Sequence, residues 1–424
     1  MTQSNASMPL ISPVWTRYSD IIVERAEGSY LFDQSGKQYL DFTTGIGVTN
    51  TGHCHPKVVA AIQQQAAKLI HGQANIVMHK PMLELAAELH SIVHSSLDSF
   101  FFSNSGAEAI EGAIKLARMA TGRPNIVVFQ GSFHGRTVGT MSLTTSKTIY
   151  RGGYQPLMPG VFVAPFPYAF RYGWDAETTS QWCLEELELL LLTQTSPSET
   201  AAILIEPVLG EGGYVVPPKS FIQGLRRLAD EHEILLILDE IQTGFGRTAR
   251  WFAYEHFDIA PDILTVAKGL ASGMPISGVC SRRELMDRWT PGSHGGTFGG
   301  NAISAAAAVA TIRAIREERM LENAQLRGEQ LMNGLKSIQK EFKTFADLRG
   351  LGLMIGCEFR TEQGKPDKDL TKSIQKICLK NGLLLLTCGP WDNTLRMIPP
   401  INVSPDEIEK ALEIFGAALD SAVH

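Results

Sequence analysis

No C-x-x-C pair occurs in the sequence, although it holds six cysteines, at positions 54, 183, 280, 357, 378 and 388. That scatter excludes a disulfide framework and a cysteine-rich zinc site, and it suits free thiols in a reducing compartment. No segment reaches about 18 uninterrupted apolar residues, so no membrane-spanning helix is expected. The opening stretch, MTQSNASMPLISPVW, lacks the charged start and sustained apolar core of an export signal, and a cytoplasmic location is expected. Runs of basic residues are missing and the formal net charge is −6, so neither nucleic acid nor an anionic membrane is an expected partner. No G-x-x-x-x-G-K-[ST] occurs, and GLGLMIG carries its third glycine one place too late for the dinucleotide fingerprint. His53 and His55 flank Cys54 in GHCHP, but no second ligand cluster follows, so no metal site is expected.

What is present is an ordinary globular composition, 44% apolar and 19% charged. At 424 residues the chain exceeds what one hydrophobic core usually supports, which suggests a large domain and a smaller one. From about residue 50 to 300, short apolar runs alternate with helical patterns: SFFFSN, NIVVFQ, AAILIEP, ILLILDE, DILTVAK and PISGVCS. Continuous apolar runs of this length read as strands buried on both faces, hence an α/β fold with a parallel sheet. Ile110, Ala113, Ile114 and Ala117 mark one intervening helix; Phe221, Leu225 and Leu228 mark another. Beyond Gly300 a long helical stretch, broken near Gly328, leads to a smaller α+β unit with strands expected at 350–359, 382–388 and 394–400. A final helix is expected behind the Ser404/Glu407 capping box, with Pro405 in its first turn and Ile408, Leu412, Phe415 and Leu419 on one face.

Ligands of open α/β sheets gather at strand ends, so the polar residues found there carry the functional argument. Asp239 and Glu240 end the most apolar run, and a carboxylate in that position needs a partner: a structural cation or the protonated nitrogen of a heteroaromatic ring. Lys268 ends the next run, where it either reaches solvent or stands as a buried, reactive amine. Ser105, Gly106 and Ala107 lie between a strand and a helix, a pattern that suits an ordinary capped helix start or an anion held by exposed N–H groups. Phe133 and Arg136 in GSFHGRT suit core packing and a surface ion pair, or stacking on a planar cofactor and a fork for a carboxylate. Glu206 and Glu211 occupy a third strand-end loop.

Taken together, these are the parts that pyridoxal 5'-phosphate (PLP) chemistry requires. Over nearly its whole length, from DFTTGIGVTNTGHCHP to TLRMIPPINV, the chain resembles the class III (ω-amino acid) aminotransferases of PLP fold type I. LDEIQTGFGRT, AKGLASGMPISGV and GGTFGGN are the most specific of the shared motifs. The resemblance implies a large domain (51–305) with a mainly parallel seven-stranded sheet between helices, and a smaller α+β domain built from 306–424 and an N-terminal segment, 1–50. Lys268 would bind PLP covalently and then carry the proton, its basicity lowered by an apolar, cation-rich pocket. Asp239 would pair with the ring nitrogen, Gln242 would bond the phenolic oxygen, and Ile241 and Phe133 would cover the ring faces. Ser105, Gly106 and Ala107 would hold the phosphate, and His134 would also belong to the cofactor site. Thr297 would reach the phosphate of the neighbouring subunit, which implies a homodimer with shared active sites, or a tetramer built from it.

For the substrate, the resemblance assigns Arg136 to a distal carboxylate and Arg396 to the α-carboxylate of glutamate or 2-oxoglutarate. Glu211 would neutralise Arg396 when an ω-amine occupies the site, and Ile46 would form an apolar wall. The expected activity is ping-pong transfer of an amine, from 4-aminobutyrate in the first place, to 2-oxoglutarate through pyridoxamine phosphate. The neighbouring alternatives are an acetylornithine or ornithine aminotransferase, an epimerase or decarboxylase on the same cofactor, and a noncatalytic dimeric scaffold.

Overall fold

The computed structural model describes residues 10–424; the part of the N-terminal reading that rests on residues 1–9 lies outside them. Strands follow the chain in three groups among the described residues. First come β1 (Val23–Glu27), β2 (Tyr30–Asp33) and β3 (Gln38–Asp41). The second group is β4 (Ser99–Ser103), β5 (Asn125–Phe129), β6 (Val161–Ala164), β7 (Thr200–Ile205), β8 (Leu235–Asp239), β9 (Ile263–Val266) and β10 (Ser277–Ser281). The third is β11 (Phe345–Leu351), β12 (Met354–Phe359), β13 (Leu383–Leu384), β14 (Leu386–Cys388) and β15 (Thr394–Met397).

The second group forms one seven-stranded sheet in the order β4-β10-β9-β8-β7-β5-β6. Its pairs from β9 to β6 are parallel. Side chains alternate across it as a doubly covered sheet requires. Ile126 and Val128 of β5 pack with Ile110, Ala113, Ile114 and Ala117 of the helix Gly106–Thr121. Val127 and Phe129 turn the other way, toward Phe221 and Leu225 of the helix Lys219–Glu231. β10 runs antiparallel to both β9 and β4. The short connection 267–276 allows nothing else, because a parallel return needs a crossover of about a dozen residues or more. That tight return is the bend that carries Lys268.

The other strands form two four-stranded sheets, β1-β2-β3-β13 and β11-β12-β15-β14. β13 pairs with β3, which ties the N-terminal strands to the C-terminal part of the chain. The expected helical break at Gly328 is not there. The helix Ala302–Glu317 ends and Met320–Glu341 begins around Arg319, which takes a left-handed φ of 51°. Gly328 lies inside the second helix, where an added Cβ would come within 2.4 Å of the Gly352 carbonyl oxygen; the glycine serves close approach rather than a break. The closing helix, Pro405–Val423, has the expected Ser404/Glu407 capping box. Among the described residues no helix is long and apolar enough to cross a membrane.

Candidate active site

Parallel strands deliver their C-terminal ends to one edge of the sheet, and that edge holds a cavity of about 370 Å³, a size suited to a small cofactor and substrate. Asp239, the last residue of β8, and Lys268, just beyond β9, both line it. Lys268 has a left-handed φ of 42°, a strained conformation for a lysine and one of the kind that functional sites retain. Gly269 lets the bend close on Asn50, whose Nδ2 would lie 2.4 Å from an added Cβ. Among the described residues Lys268 makes no ion pair. Burial lowers its basicity; Arg396 adds to that effect, while Glu211, Asp239 and Glu206 oppose it. The surroundings are therefore of mixed charge rather than cation-rich, and desolvation is the larger cause of the shift.

Asp239 is buried and fully engaged by protein on one side. His134 Nδ1 lies 2.7 Å from its Oδ2, and the Ile241 N–H donates to its Oδ1 at 3.1 Å. A helix starts at the cavity wall, where Ser105 and Glu108 form a reciprocal capping box. The Gly106 and Ala107 N–H groups have no intrahelical acceptor there, which makes this end of the helix attractive to an anion. Gly106 lets Ile241 pack closely on the helix start, since an added Cβ would meet Ile241 Cδ1 at 2.9 Å.

The cavity lining also brings together Phe133, His134, Arg136, Ile241, Gln242 and Glu211. The Arg136 guanidinium lies over the rings of Phe133, at 5.8 Å, and Tyr150, at 5.2 Å. Glu211 accepts from Arg396 Nη1 at 2.5 Å. Burial pushes the Glu211 carboxyl up, but the Arg396 charge and hydrogen bond outweigh it and hold the group below its ordinary range. Arg396 itself lies on β15 behind Glu211 rather than in the lining. Ile46 and Thr297 also stand outside the lining, both exposed. Ile46 belongs to a left-handed turn in which Thr44, Gly45, Ile46 and Gly47 all have positive φ, and Val48, just beyond it, reaches the cavity. A β-branched residue in that region is costly. Asp41 supports the turn by accepting from the Thr43 and Thr44 N–H groups and from His53. The GHCHP histidines are thus engaged by carboxylates, His53 by Asp41 and His55 by Glu318.

Several lining residues had no assigned part in the sequence reading: Val48, Asn104, Gly135, Glu206 and the segment 273–276. Glu206 is the most consequential, because it accepts from the Phe133 N–H at 2.7 Å and the Gly210 N–H at 2.8 Å and so ties two site loops together. Burial pushes the Glu206 carboxyl above the usual carboxylate range; the His134 charge opposes this and Asp239 adds to it. Three buried polar atoms at the site lack a protein partner: His134 Nε2, Gln242 Oε1 and Arg396 Nε. Unpaired polar atoms, a helix N-terminus, a buried carboxylate and an amine of lowered basicity fit a flat, phosphorylated heteroaromatic aldehyde.

Known proteins share this sequence pattern and fold. Residues 11–419 match the family described as aminotransferase class-III. The 5-aminovalerate aminotransferase DavT of Pseudomonas aeruginosa is 41% identical over 404 residues, covering 94% of this chain and 93% of that protein. The 4-aminobutyrate aminotransferase GabT of Escherichia coli is 39% identical over 406 residues, covering 95% and 94%. An acetylornithine aminotransferase of Archaeoglobus fulgidus is 39% identical over 394 residues, covering 93% and 94%. Among solved structures, a PLP-bound amine transaminase from an uncultivated Pseudomonas species superposes with a TM-score of 0.91 at 27% identity, covering 96% of this chain and 98% of that one.

Proposed function

The chain belongs to the class III aminotransferases, PLP-dependent enzymes, and from that membership we propose that it moves the amine of an ω-amino acid, foremost 4-aminobutyrate, to 2-oxoglutarate. The observation that carries this reading is the Glu211–Arg396 pair facing a cavity that also holds Arg136, which has no carboxylate partner among the described residues. An ω-amino acid brings one carboxylate, far from its reacting carbon, and Arg136 supplies a planar fork for it while Glu211 keeps Arg396 neutralised. 2-Oxoglutarate brings a second carboxylate beside the reacting carbon. Arg396 takes that group when Glu211 swings away, so one pocket serves two charge patterns.

When bound, PLP supplies a carbonyl carbon for the amine and a ring that takes up the electrons left by a departing proton. Lys268 Nζ would hold the cofactor, and its amine, of lowered basicity, would be the group that moves the proton at the substrate carbon. Asp239 keeps a proton on the ring nitrogen, and His134 fixes the orientation of that carboxylate. Gln242 would bond the phenolic oxygen, Ile241 and Phe133 would cover the ring, and the N–H groups around Ser105, Gly106 and Ala107 would hold the phosphate. We assign Ile46, exposed two residues before the lining residue Val48, to the apolar wall at the mouth of the pocket.

We assign Thr297 to the partner's phosphate in a homodimer. Exposed Ile76, Val77 and Met78, with Phe298 resting on His71 at 5.3 Å, support this by giving the Thr297 loop an apolar surface to bury. We divide the chain into a large domain, 51–305, and a small one made of 306–424 and the N-terminal segment 1–50; the β3–β13 pairing supports joining the two ends.

The test is a single-turnover spectrum of the PLP-loaded enzyme mixed, without an oxo acid, with 4-aminobutyrate, 5-aminovalerate, acetylornithine, ornithine or glutamate. Rapid conversion by 4-aminobutyrate and glutamate is expected. Faster conversion by 5-aminovalerate lengthens the ω-amino acid, and faster conversion by acetylornithine or ornithine moves the enzyme to that neighbouring branch. No conversion by any donor overturns transamination. Arg396→Ala is expected to slow the glutamate and 2-oxoglutarate steps roughly a hundredfold while slowing the 4-aminobutyrate step much less. Equal damage to both halves would remove the proposed charge switch.

A further inference from the structure

One row across the C-terminal sheet places two arginines on either side of a glycine. Arg349 of β11 pairs with Gly356 of β12, and Gly356 pairs with Arg396 of β15. Cross-strand partners project from the same face, so the row presents a gap between two guanidinium groups. The segment that follows Glu211 lies in that gap. A Cβ on Gly356 would stand 3.1 Å from Tyr214 Cβ and 3.3 Å from the Gly213 carbonyl oxygen, so the segment packs directly on the sheet backbone.

The two arginines grip this segment from opposite sides. Arg396 holds the Glu211 carboxylate at 2.5 Å. Arg349 donates from Nε at 3.0 Å and from Nη2 at 2.6 Å to the Gly213 carbonyl oxygen. Arg349 is itself locked: its guanidinium lies 4.9 Å from the Tyr168 ring and pairs with Glu358 at 2.9 Å and with Asp347. Glu358 is buried and also accepts from Tyr168, Asn393 and Arg360. The backbone within the grip turns through positive φ, 125° at Gly213, which glycine takes freely, and 55° at Tyr214, which is strained. Strain of this kind persists only where surrounding contacts over-determine it, and Arg349 is one of those contacts.

We infer that Arg349 is a positioning residue that sets how readily Glu211 leaves Arg396, and so sets the balance between the ω-amine and α-carboxylate half-reactions. This rests on the switching role given to the Glu211–Arg396 pair above. Arg349 lies too far along the row to touch substrate itself; it acts by fixing the carbonyl two residues beyond Glu211. Release of that carbonyl lets the strained turn relax and weakens the hold of Glu211 on Arg396. Arg396 is then exposed more often as a free cation, a state that suits glutamate and 2-oxoglutarate and disfavours an ω-amino acid.

The experiment is a double-mutant cycle on the PLP-loaded enzyme, with single-turnover rates and apparent affinities for an ω-amine donor and for glutamate. Arg349→Gln is expected to slow the ω-amine half roughly tenfold while leaving the glutamate rate within about threefold and tightening glutamate. Arg349→Lys is expected to recover part of the effect, since an ammonium reaches the carbonyl but lacks the fork. In a Glu211→Gln background the Arg349 substitution should make no further difference. Equal loss in both halves that persists in the Glu211→Gln background shows a merely structural arginine and overturns the inference. A wild-type enzyme that accepts no ω-amine sinks the donor assignment instead, and the cycle is then read on glutamate affinity alone. If Arg349→Gln does not fold, Asp347→Asn loosens the same guanidinium from its more exposed side and is expected to shift the ratio in the same direction by a smaller factor.

Discussion

Lys268→Ala is expected to abolish turnover, with both half-reactions slower by roughly a thousandfold or more. Under the proposed roles, two functions disappear with the amine: the covalent hold on the cofactor and the group that carries the proton at the substrate carbon. They can be separated. Borohydride, which fixes PLP to a lysine, should label residue 268 in the wild-type protein and leave the variant unlabelled at that position. An added small amine can restore some proton transfer in the variant but no labelling. A variant that turns over at the wild-type rate would remove Lys268 from the chemistry and, with it, the assignment of the cavity.

The loss is not expected to come from misfolding. The basicity of Lys268 is lowered in the folded state, chiefly by burial. The unfolded chain therefore binds the lysine proton more tightly, and this group opposes folding below the ordinary lysine range, with the penalty fading as pH rises toward that range. Replacing it with alanine removes the penalty at neutral pH. The cofactor-free variant should accordingly melt no lower than the cofactor-free wild type, and its small stability difference should narrow at alkaline pH.

Asp239 and Lys268 were legible in the sequence because each closes an apolar run that only a central strand can satisfy, and strand ends are where an open α/β sheet binds its ligands. The chemistry needed the conjunction of motifs, since Phe133, Arg136 and Ser105 each have an ordinary structural explanation when read singly. What stayed hidden depends on contacts between distant segments. β6 is a four-residue edge strand with Val163 exposed, and it carries no periodic signal. Glu206 was visible as a strand-end carboxylate, but its partners, the Phe133 and Gly210 N–H groups, come together only in the fold. Gly328 looked like a helix breaker because its true neighbour, Gly352, lies elsewhere in the sequence. The left-handed turn at Thr44–Gly47 runs against the preference of Ile46, and a local reading misses it for that reason.

Asp239→Asn is expected to keep the fold, weaken PLP binding and slow both half-reactions roughly a hundredfold or more. The substitution is nearly isosteric, so the Ile241 N–H can still donate to Oδ1, as it does at 3.1 Å. The Oδ2 side changes more. His134 Nδ1 lies 2.7 Å away, and an amide NH2 there forces the imidazole into the tautomer that accepts at Nδ1 and carries its proton on Nε2. Nε2 is buried without a protein partner, so in that tautomer its N–H faces the site with no protein acceptor. More important, a neutral amide cannot hold a positive charge on the ring nitrogen, and a ring without that charge is a poor acceptor for the electrons released at the substrate carbon. The effect should therefore appear in the proton-transfer step as well as in affinity, and saturating PLP should not restore the rate. Full activity at saturating PLP would reduce Asp239 to a structural partner of His134, while loss of affinity alone would limit it to holding the cofactor in place.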